Sequence, residues 1–419
     1  MNENRFSINN EFAPSISNQK IKPKLVKVNT LLNKFASIDA TKYLYKFAVV
    51  QGVQVPETYK IPYIIYSLIW NFLANIYLPI AFVIGIFNVS AAELQIGNLL
   101  TSFQVTFDVY AGAFKIIYLA FFIHKLRLAD PVLERLDKRC KEPDEIAEIE
   151  NVVRFGRICV MGFATAYFSY SASTFLGAVI MGHPPYSLYF PYINWRHSKS
   201  EFVVASIIEH LMMDQACVQQ VVNDSYAVIY VRILRTHVNI LLLRLQKLST
   251  NKALSLEQNY EELKLCIKDH KALIELYDII SPIISVTMFI QLMITASILG
   301  TTLINIMIFA TDFTTRVGSC FYILAVITQS FPLCYQAQCL LDESSRLAEV
   351  ILHSNWIEQN VQYRKLLIFF IQRSQRSMQL TAGKIIPITL NSFLSIAKFS
   401  FTLYTFIKEM NIKEKFGLE

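Results

Sequence analysis

Four long stretches of the sequence contain no Asp, Glu, Lys or Arg. They cover residues 61–92, 158–195, 279–311 and 317–341. Each exceeds the roughly 20 residues that an α-helix needs to cross about 30 Å of hydrocarbon. Because the chain is 53% hydrophobic and only 17% charged, a set of soluble domains is excluded, and the membrane is the expected solvent.

Three further apolar stretches carry charges, at about 97–123, 201–231 and 385–407. The distribution of basic residues decides whether these also cross, because cytoplasmic loops are enriched in Lys and Arg. Of the 39 Lys and Arg residues, 30 lie in four segments, 1–60, 124–154, 232–278 and 340–384. If all four segments lie on the cytoplasmic side, each of the three charged stretches must also cross the membrane. The number of crossings is then odd.

The predicted fold class is therefore an all-α integral membrane protein with seven transmembrane helices. Its N-terminus lies inside and its C-terminus outside. Lys408, Lys413 and Lys415 make the tail basic, so six spans with both ends inside stays an alternative. All seven cysteines fall in predicted cytoplasmic segments or within spans, and we expect no extracellular disulfide.

The chain divides into four predicted parts. These are a cytoplasmic leader (1–60), helices one to six (61–339), a cytoplasmic segment (340–384), and a last helix with a short extracellular tail (385–419). The fourth and fifth helices have no turn signal at their inner ends and are predicted to extend below the membrane. From Glu343 to Ser377 the apolar spacing predicts one amphipathic helix. It packs either on the chain's own inner helices or on another subunit.

The last predicted helix, residues 384–409, carries a polar stripe. At about 100° per residue, seven polar side chains fall within an arc of roughly 80° that also holds Pro387. The seven are Lys384, Asn391, Ser395, Lys398, Thr402, Thr405 and Glu409. A Lys in mid-membrane costs at least about 2.5 kcal/mol when it faces lipid. The stripe must therefore face protein or water.

Two interpretations of this stripe stay open. An acidic residue at matching depth, Asp108, Glu209 or Asp214, could neutralise Lys398. Alternatively, copies of the helix from several subunits could line a water-filled pore. The predicted pore-lining residues are then Asn391, Ser395, Lys398, Thr402, Thr405, Phe406 and Glu409, with Glu409 favouring cations and Phe406 narrowing the path.

The C-terminal part of the chain resembles the signature of insect odorant receptors. The matching residues are Arg364-Lys365, Arg373-Ser374-Gln375, Leu380-Thr381-Ala382-Gly383-Lys384 and Lys398-Phe399-Ser400-Phe401. Departures from the family pattern are Ser377 at a usual proline, and Leu352 and Ile357 at usual tyrosines.

This resemblance implies an odorant-gated, non-selective cation channel of the plasma membrane of olfactory sensory neuron dendrites. It also implies a tetramer whose last helices line the pore and whose cytoplasmic helices hold the subunits together. The implied partners are a shared co-receptor subunit, a small volatile odorant and membrane lipid. The segment between the fourth and fifth spans is compact, unlike that of the co-receptor. The resemblance therefore implies a ligand-binding subunit.

Family analogy also implies a ligand pocket in the outer half of the bundle, between the second, third, fourth and sixth spans. Aromatic and Met side chains there suit an apolar ligand, although ordinary packing between helices is the favoured alternative for any single one of them. The predicted ligand-binding residues are Phe103, Phe107, Tyr167, Tyr170, Ser171, Thr174, Ile208, Met212, Met213 and Tyr322. The aromatic loop HPPYSLYFPYINW is expected to flank the entrance.

Other functional classes find less support in the sequence. No metal-ligand spacing, phosphate-binding loop or nucleophile-base arrangement indicates an enzyme, a cofactor or a nucleic-acid partner. A G-protein-coupled receptor would place its N-terminus outside, against the Lys and Arg distribution. A transporter would show an internal repeat or paired broken helices, and neither is present. A gustatory-type channel shares the architecture and stays the main alternative.

Overall fold

The computed structural model describes residues 36–56, 60–87, 96–182, 184–186, 188–248, 255–309 and 313–409. The predicted leader is thus described only in part, and the predicted tail beyond residue 409 lies outside the described residues. A short 3₁₀ helix, Ser37–Thr41, precedes α1, Lys42–Gln51.

The remaining elements follow in chain order, and most of them are long helices. They are α2 (Lys60–Phe72), a π-helical turn (Leu73–Tyr77), α3 (Leu78–Phe87), α4 (Ile96–Leu126), α5 (Ala129–Asp137), α6 (Pro143–Met181), α7 (Lys199–Lys247), α8 (Leu256–Ile304), a π-helical turn (Asn305–Phe309), α9 (Phe313–Ser345), α10 (Leu347–Leu352), α11 (Val361–Ser374), β1 (Thr381–Ala382), β2 (Ile386–Pro387) and α12 (Leu390–Glu409).

Five helices in the described part are long and apolar enough to cross a membrane. They are Lys60–Phe87, Ser102–Leu126, Lys199–Lys247, Leu256–Met307 and Ser319–Leu352. The other two predicted spans lie in α6 and α12. Both are continuous helices, but hydroxyl side chains occur among their apolar residues. The described chain is therefore an all-helical membrane bundle with one small hairpin, and the count of seven crossings and their direction stay predictions.

The predicted extension of the fourth and fifth helices is confirmed. Each of α7 and α8 contains 49 residues, which corresponds to about 73 Å, more than twice the hydrocarbon thickness. Both helices begin with a side-chain cap. The Ser198 hydroxyl caps α7 and the Ser255 hydroxyl caps α8, each accepting a hydrogen bond from a backbone N–H three residues later.

Within the apolar stretch 158–195, α6 ends at Met181 before Gly182, whose φ of 79° terminates the helix ahead of the expected aromatic loop. Two sequence expectations about helix boundaries are wrong. The predicted helix from Glu343 to Ser377 is broken at residues 353–360 between α10 and α11. The last helix begins at Leu390 rather than at residue 384, because β1 and β2 form a hairpin there.

This hairpin contains the Leu-Thr-Ala-Gly-Lys segment and docks on α8. Thr381 pairs with Pro387 and Ala382 with Ile386, while Gly383 N donates a 2.8 Å hydrogen bond to Ser285 O. Gly383 has a φ of 60°, and a Cβ there would lie 2.7 Å from the Phe289 ring. Only glycine fits this position without strain. Pro387 therefore lies in a strand and does not bend the last helix.

One end of the bundle, here called the base, comprises α1, α5, α10, α11 and the adjoining ends of α6, α7 and α8. Ion pairs join α6, α7, α8 and the segment after α5 there. Arg244 on α7 contacts Glu145 on α6 and Asp269 on α8, each at 2.6 Å. Arg139, just after α5, contacts Asp269 as well. Because each charge is paired across two helices, the base is fixed around α7.

A second polar contact ties the N-terminal 3₁₀ helix to the base. Asp137 accepts hydrogen bonds from Ser37 N at 2.8 Å and Ser37 Oγ at 2.9 Å, and His237 Nε2 lies 3.4 Å from Asp137 Oδ1. Burial lowers the pKa of His237 to about 3 and raises the pKa of Asp137 to about 6. The imidazole is therefore neutral at physiological pH.

Candidate functional site

Two regions contain the predicted functional residues, the end of the bundle opposite the base and the last helix. The former, here called the apex, comprises the 184–198 loop and the adjoining ends of α3, α4, α6, α7 and α9. Its apolar core consists of Leu78, Ala81, Phe82, Val109, Leu188 and Met213. Three helices, α3, α4 and α7, and one loop therefore meet in this core, which includes the predicted ligand residue Met213.

The structure brings several predicted ligand residues together at the apex. Tyr167 and Ser171 are buried on α6, and Met213 is buried on α7, with Met212 packed beside it. Tyr322 on α9 lies near Tyr170 on α6. Among the described residues, the Tyr322 hydroxyl is buried and has no hydrogen-bond partner. A ligand polar group could therefore satisfy it.

Other predicted ligand residues lie elsewhere or have local partners. Phe103 and Phe107 are 42% and 53% exposed and belong to an exposed stripe on α4 that continues through Tyr110, Phe114, Ile117 and Phe121. The stripe follows helical spacing along the exposed side of α4. Ile208 is partly buried, and Thr174 Oγ1 donates to Tyr170 O at 2.9 Å.

The aromatic loop between α6 and α7 enters the bundle instead of only flanking it. Buried Glu209 on α7 accepts hydrogen bonds from Tyr186 N and Leu188 N, each at 2.8 Å. This holds the Tyr186 ring edge-to-face against Phe82, at a centroid distance of 6.0 Å. Tyr186 also lies near Tyr170. Sequence reasoning considered Glu209 only as a partner for Lys398 and the loop only as an entrance, and missed the contact between them. An acidic residue inside an apolar span was the signal available.

The three acids considered as partners for Lys398 have other contacts. Glu209 binds the loop, Asp214 accepts a 2.7 Å hydrogen bond from Ser171 Oγ, and Asp108 accepts one from Gln220 at 3.4 Å. Lys398 itself lies on the exposed side of α12. The structure therefore does not join Lys398 to any of these acids.

The last helix packs on one side only. Phe393, Ser400 and Tyr404 are its buried residues, and Ser400 Oγ donates to Ala296 O of α8 at 3.2 Å. The predicted stripe lies opposite, where Asn391, Ser395, Lys398, Thr402 and Glu409 are exposed and Thr405 is partly buried. Lys384 does not belong to this face, because it lies in the hairpin. One face of α12 therefore packs on its own bundle, and the opposite, polar face is exposed.

A cavity of about 260 Å³ opens at the base, far from the predicted ligand residues. Its lining is Leu245, Gln246, Arg346, Glu349, Val350, His353 and Ser354. Charged and amide groups make up much of this lining, so the cavity suits water better than an apolar volatile. Within the described residues, no group of three or more His, Cys, Asp or Glu side chains is arranged to hold a metal ion.

Comparison with known proteins relates this architecture to one family. The family described as 7tm Odorant receptor matches residues 95–401. Odorant receptor 42a of Drosophila melanogaster is 34% identical over 90% of this chain and 93% of its own length. Odorant receptor 42b of the same insect is 32% identical over 94% and 98%.

Solved structures show the same fold. The olfactory receptor OR5 of the insect Machilis hrabei in complex with eugenol superposes with a TM-score of 0.72 at 13% identity, over 90% of this chain and 100% of that one. A second structure of that receptor gives a TM-score of 0.71. On the sequence matches and the shared fold together, the chain is a membrane protein of the odorant receptor family of insects.

Proposed function

We propose that this chain is the ligand-binding subunit of an odorant-gated cation channel of olfactory sensory neuron dendrites, and not an enzyme. The observation that carries this proposal is the one-sided packing of α12. A polar face with an intramembrane Lys cannot face lipid without large cost. The same face on several subunits, arranged around one axis, encloses a water-filled path.

The base supplies an assembly surface for such a channel. Large apolar side chains remain exposed at the end of α10, in the following loop and on α11, namely Leu352, Ile357, Val361, Ile368 and Phe369. Ile368 and Phe369 are 65% and 69% exposed. In a cytoplasmic position they require a partner. We propose that residues 340–384 hold the subunits of a heterotetramer with a co-receptor together, that residues 61–339 carry the ligand pocket, and that α12 lines the pore.

The ligand in this proposal is a small volatile with one polar group. A volatile that buries on the order of 200 to 300 Å² of apolar surface gains roughly 5 to 8 kcal/mol before ordering costs, which corresponds to micromolar affinity at best. The ligand binds the open state better and shifts a two-state equilibrium. Tyr170, Met213, Tyr186 and the free Tyr322 hydroxyl are the proposed contacts.

The direct test is whole-cell current from cells that express this chain with and without an insect odorant co-receptor, during pulses of a broad volatile panel. We expect a rapid cation current only with the co-receptor. In the Glu409→Lys variant, the permeability of cations relative to anions should fall. Lys408→Gln is the matched control, because Lys408 lies about 100° away from Glu409 on α12.

Three results would overturn the proposal. The first is surface expression with the co-receptor but no current to any volatile. The second is a response to soluble tastants alone, which would favour a gustatory-type channel. The third is a G-protein signal without current, which would favour a G-protein-coupled receptor.

A further inference from the structure

An ionic network is buried in the predicted membrane region, between the ligand residues and the last helix. Lys115 Nζ on α4 lies 3.0 Å from Asp224 Oδ1 on α7, and both side chains are 3% exposed. The other carboxylate oxygen, Asp224 Oδ2, accepts a 2.7 Å hydrogen bond from Tyr167 Oη on α6. The ion pair and its hydrogen bond from Tyr167 thus join α4, α6 and α7. Tyr167 is itself a predicted ligand residue.

The network continues from Lys115 to α8 and α9. Lys115 Nζ donates a second hydrogen bond, of 2.6 Å, to Gln291 Oε1 on α8. Gln291 Nε2 donates to Gln329 Oε1 on α9 at 3.1 Å. One turn further along α8, Thr295 Oγ1 lies 2.8 Å from Ser330 Oγ on α9. Side-chain hydrogen bonds therefore link five helices: α4, α6, α7, α8 and α9.

The far end of this network adjoins the last helix. Thr295 is followed by Ala296, whose carbonyl oxygen accepts the 3.2 Å hydrogen bond from Ser400 Oγ of α12. One turn later, a Cβ at Gly300 would lie 2.9 Å from Leu403 Cδ2, so α8 and α12 are in close contact. The part of α8 that follows Gln291 is therefore in direct contact with the helix that carries the exposed polar face.

Stability alone gives a poor account of this arrangement. An ion pair in the membrane interior is costly, and an apolar pair of similar volume is often as stable or more stable. Ionisable residues inside spans therefore indicate function, with the partner as part of the mechanism. Tyr167, at the edge of the ligand region, and Ser400, on the last helix, lie at the two ends of one continuous set of contacts.

We propose that Lys115 and Asp224 couple ligand binding to pore opening. They are positioning residues that fix α4, α7 and α8 relative to one another, so that a shift at Tyr167 moves α8 and with it α12. This inference rests on the proposed function, since it assumes that a ligand acts near Tyr167 and that α12 lines the pore. Coupling of this kind is a free energy shared by two sites and needs a measurement that separates it from folding.

The decisive variant is the double substitution K115M/D224L, which replaces the ion pair with an apolar pair of similar volume. It is co-expressed with the co-receptor, and surface labelling, basal current and the ligand dose response are recorded. We expect normal surface level and basal current, with the half-maximal ligand concentration raised at least tenfold or the maximal current lowered at least tenfold. The control is R135Q/E275Q, which removes an exposed ion pair of the base (58% and 47% exposed).

Each outcome has one meaning. A double variant that responds to ligand as the wild type does overturns the coupling and leaves the proposed function intact. A wild-type channel without any ligand current overturns both. If the double variant does not reach the surface, D224N decides, because the amide keeps the space and can still accept from Tyr167. We then expect a dose response shifted at least threefold at normal basal current, and an unshifted one rejects the coupling.

Discussion

Helix α7, which contains the fourth predicted span, and α12, the last helix, both belong to the predicted membrane region, yet they are packed in opposite ways. From Val221 to Leu234 every residue of α7 except Arg232 is buried. On α12, by contrast, the buried residues are three on one face, and the other sides are open. One helix is surrounded by its own chain and the other requires further subunits. The first therefore fixes the fold, while the second is free to change its environment.

The polar groups of the two helices differ in the same way. On α7 several of them have partners on other helices. The Tyr230 hydroxyl lies 2.6 Å from that of Tyr45 on α1, and Asn223 Nδ2 donates to Gly112 O at 3.0 Å. On α12 the hydroxyls of Ser395 and Thr402 donate only to the carbonyl four residues earlier in their own helix. Such groups cost little to expose to water and make no contact that would hold the helix in place.

The largest effect is expected where the base holds α7. Arg244→Met leaves Glu145 buried with only backbone donors and removes one partner of Asp269. Loss of one member of a buried pair typically costs about 3 to 5 kcal/mol. The free energy of unfolding or the Tm of the purified protein in detergent measures this loss. Lys247→Met is the control, since Lys247 and Asp144 are 55% and 70% exposed. A loss of similar size in both variants would contradict the role of the base.

A somewhat smaller effect is expected from cavity formation, and it tests the comparison directly. Leu234→Ala on α7 removes a fully buried side chain and should cost about 2 to 5 kcal/mol. Leu394→Ala on α12 removes the same atoms from a side chain that is 54% exposed. In the isolated subunit it should change stability by less than about 0.5 kcal/mol. Equal losses for the two variants would show that α12 is buried as deeply as α7.

The sequence predicted the α7 side of this comparison better than the α12 side. Apolar stretches and basic segments were sufficient for the spans and for the extension of α7 and α8, because each signal is local. The helix start at Leu390 depends instead on Gly383 meeting Phe289 of α8, a contact between residues distant in sequence. In the same way, the exposed position of Phe103 and the entry of Tyr186 into the bundle depend on contacts with neighbouring helices. The periodicity of a single helix does not predict such contacts.

The third prediction concerns pH at the base and combines two opposing contributions. The pKa of His237 falls to about 3, so its contribution to stability is present above about pH 6.5 and is lost as the pH falls. The pKa of Asp137 rises to about 6, so its contribution is present at low pH and is lost as the pH rises through 6. From pH 7 to pH 5 these changes are about −2 and +1 kcal/mol.

Substitution separates the two contributions. We expect the wild type to lose about 1 kcal/mol of stability from pH 7 to pH 5, measured as Tm in detergent. His237→Asn should instead gain stability over this interval, because only the Asp137 contribution remains. Asp137→Asn should lose more than the wild type. If all three proteins showed the same pH dependence, neither group would be the cause.

The smallest effect on stability, and the most informative about α12, is expected on its open face. Thr402→Val keeps the volume of the side chain and removes a hydroxyl that bonds only to Lys398 O, at 3.0 Å. Stability should change by less than about 0.5 kcal/mol, whereas single-channel conductance should fall, because an apolar ring replaces a polar one in a narrow water path. Ser400→Val, on the buried face, should instead alter gating through the contact with Ala296 and leave conductance unchanged. The reverse pattern would mean that the buried face lines the path, and the contrast between α7 and α12 would then describe packing without function.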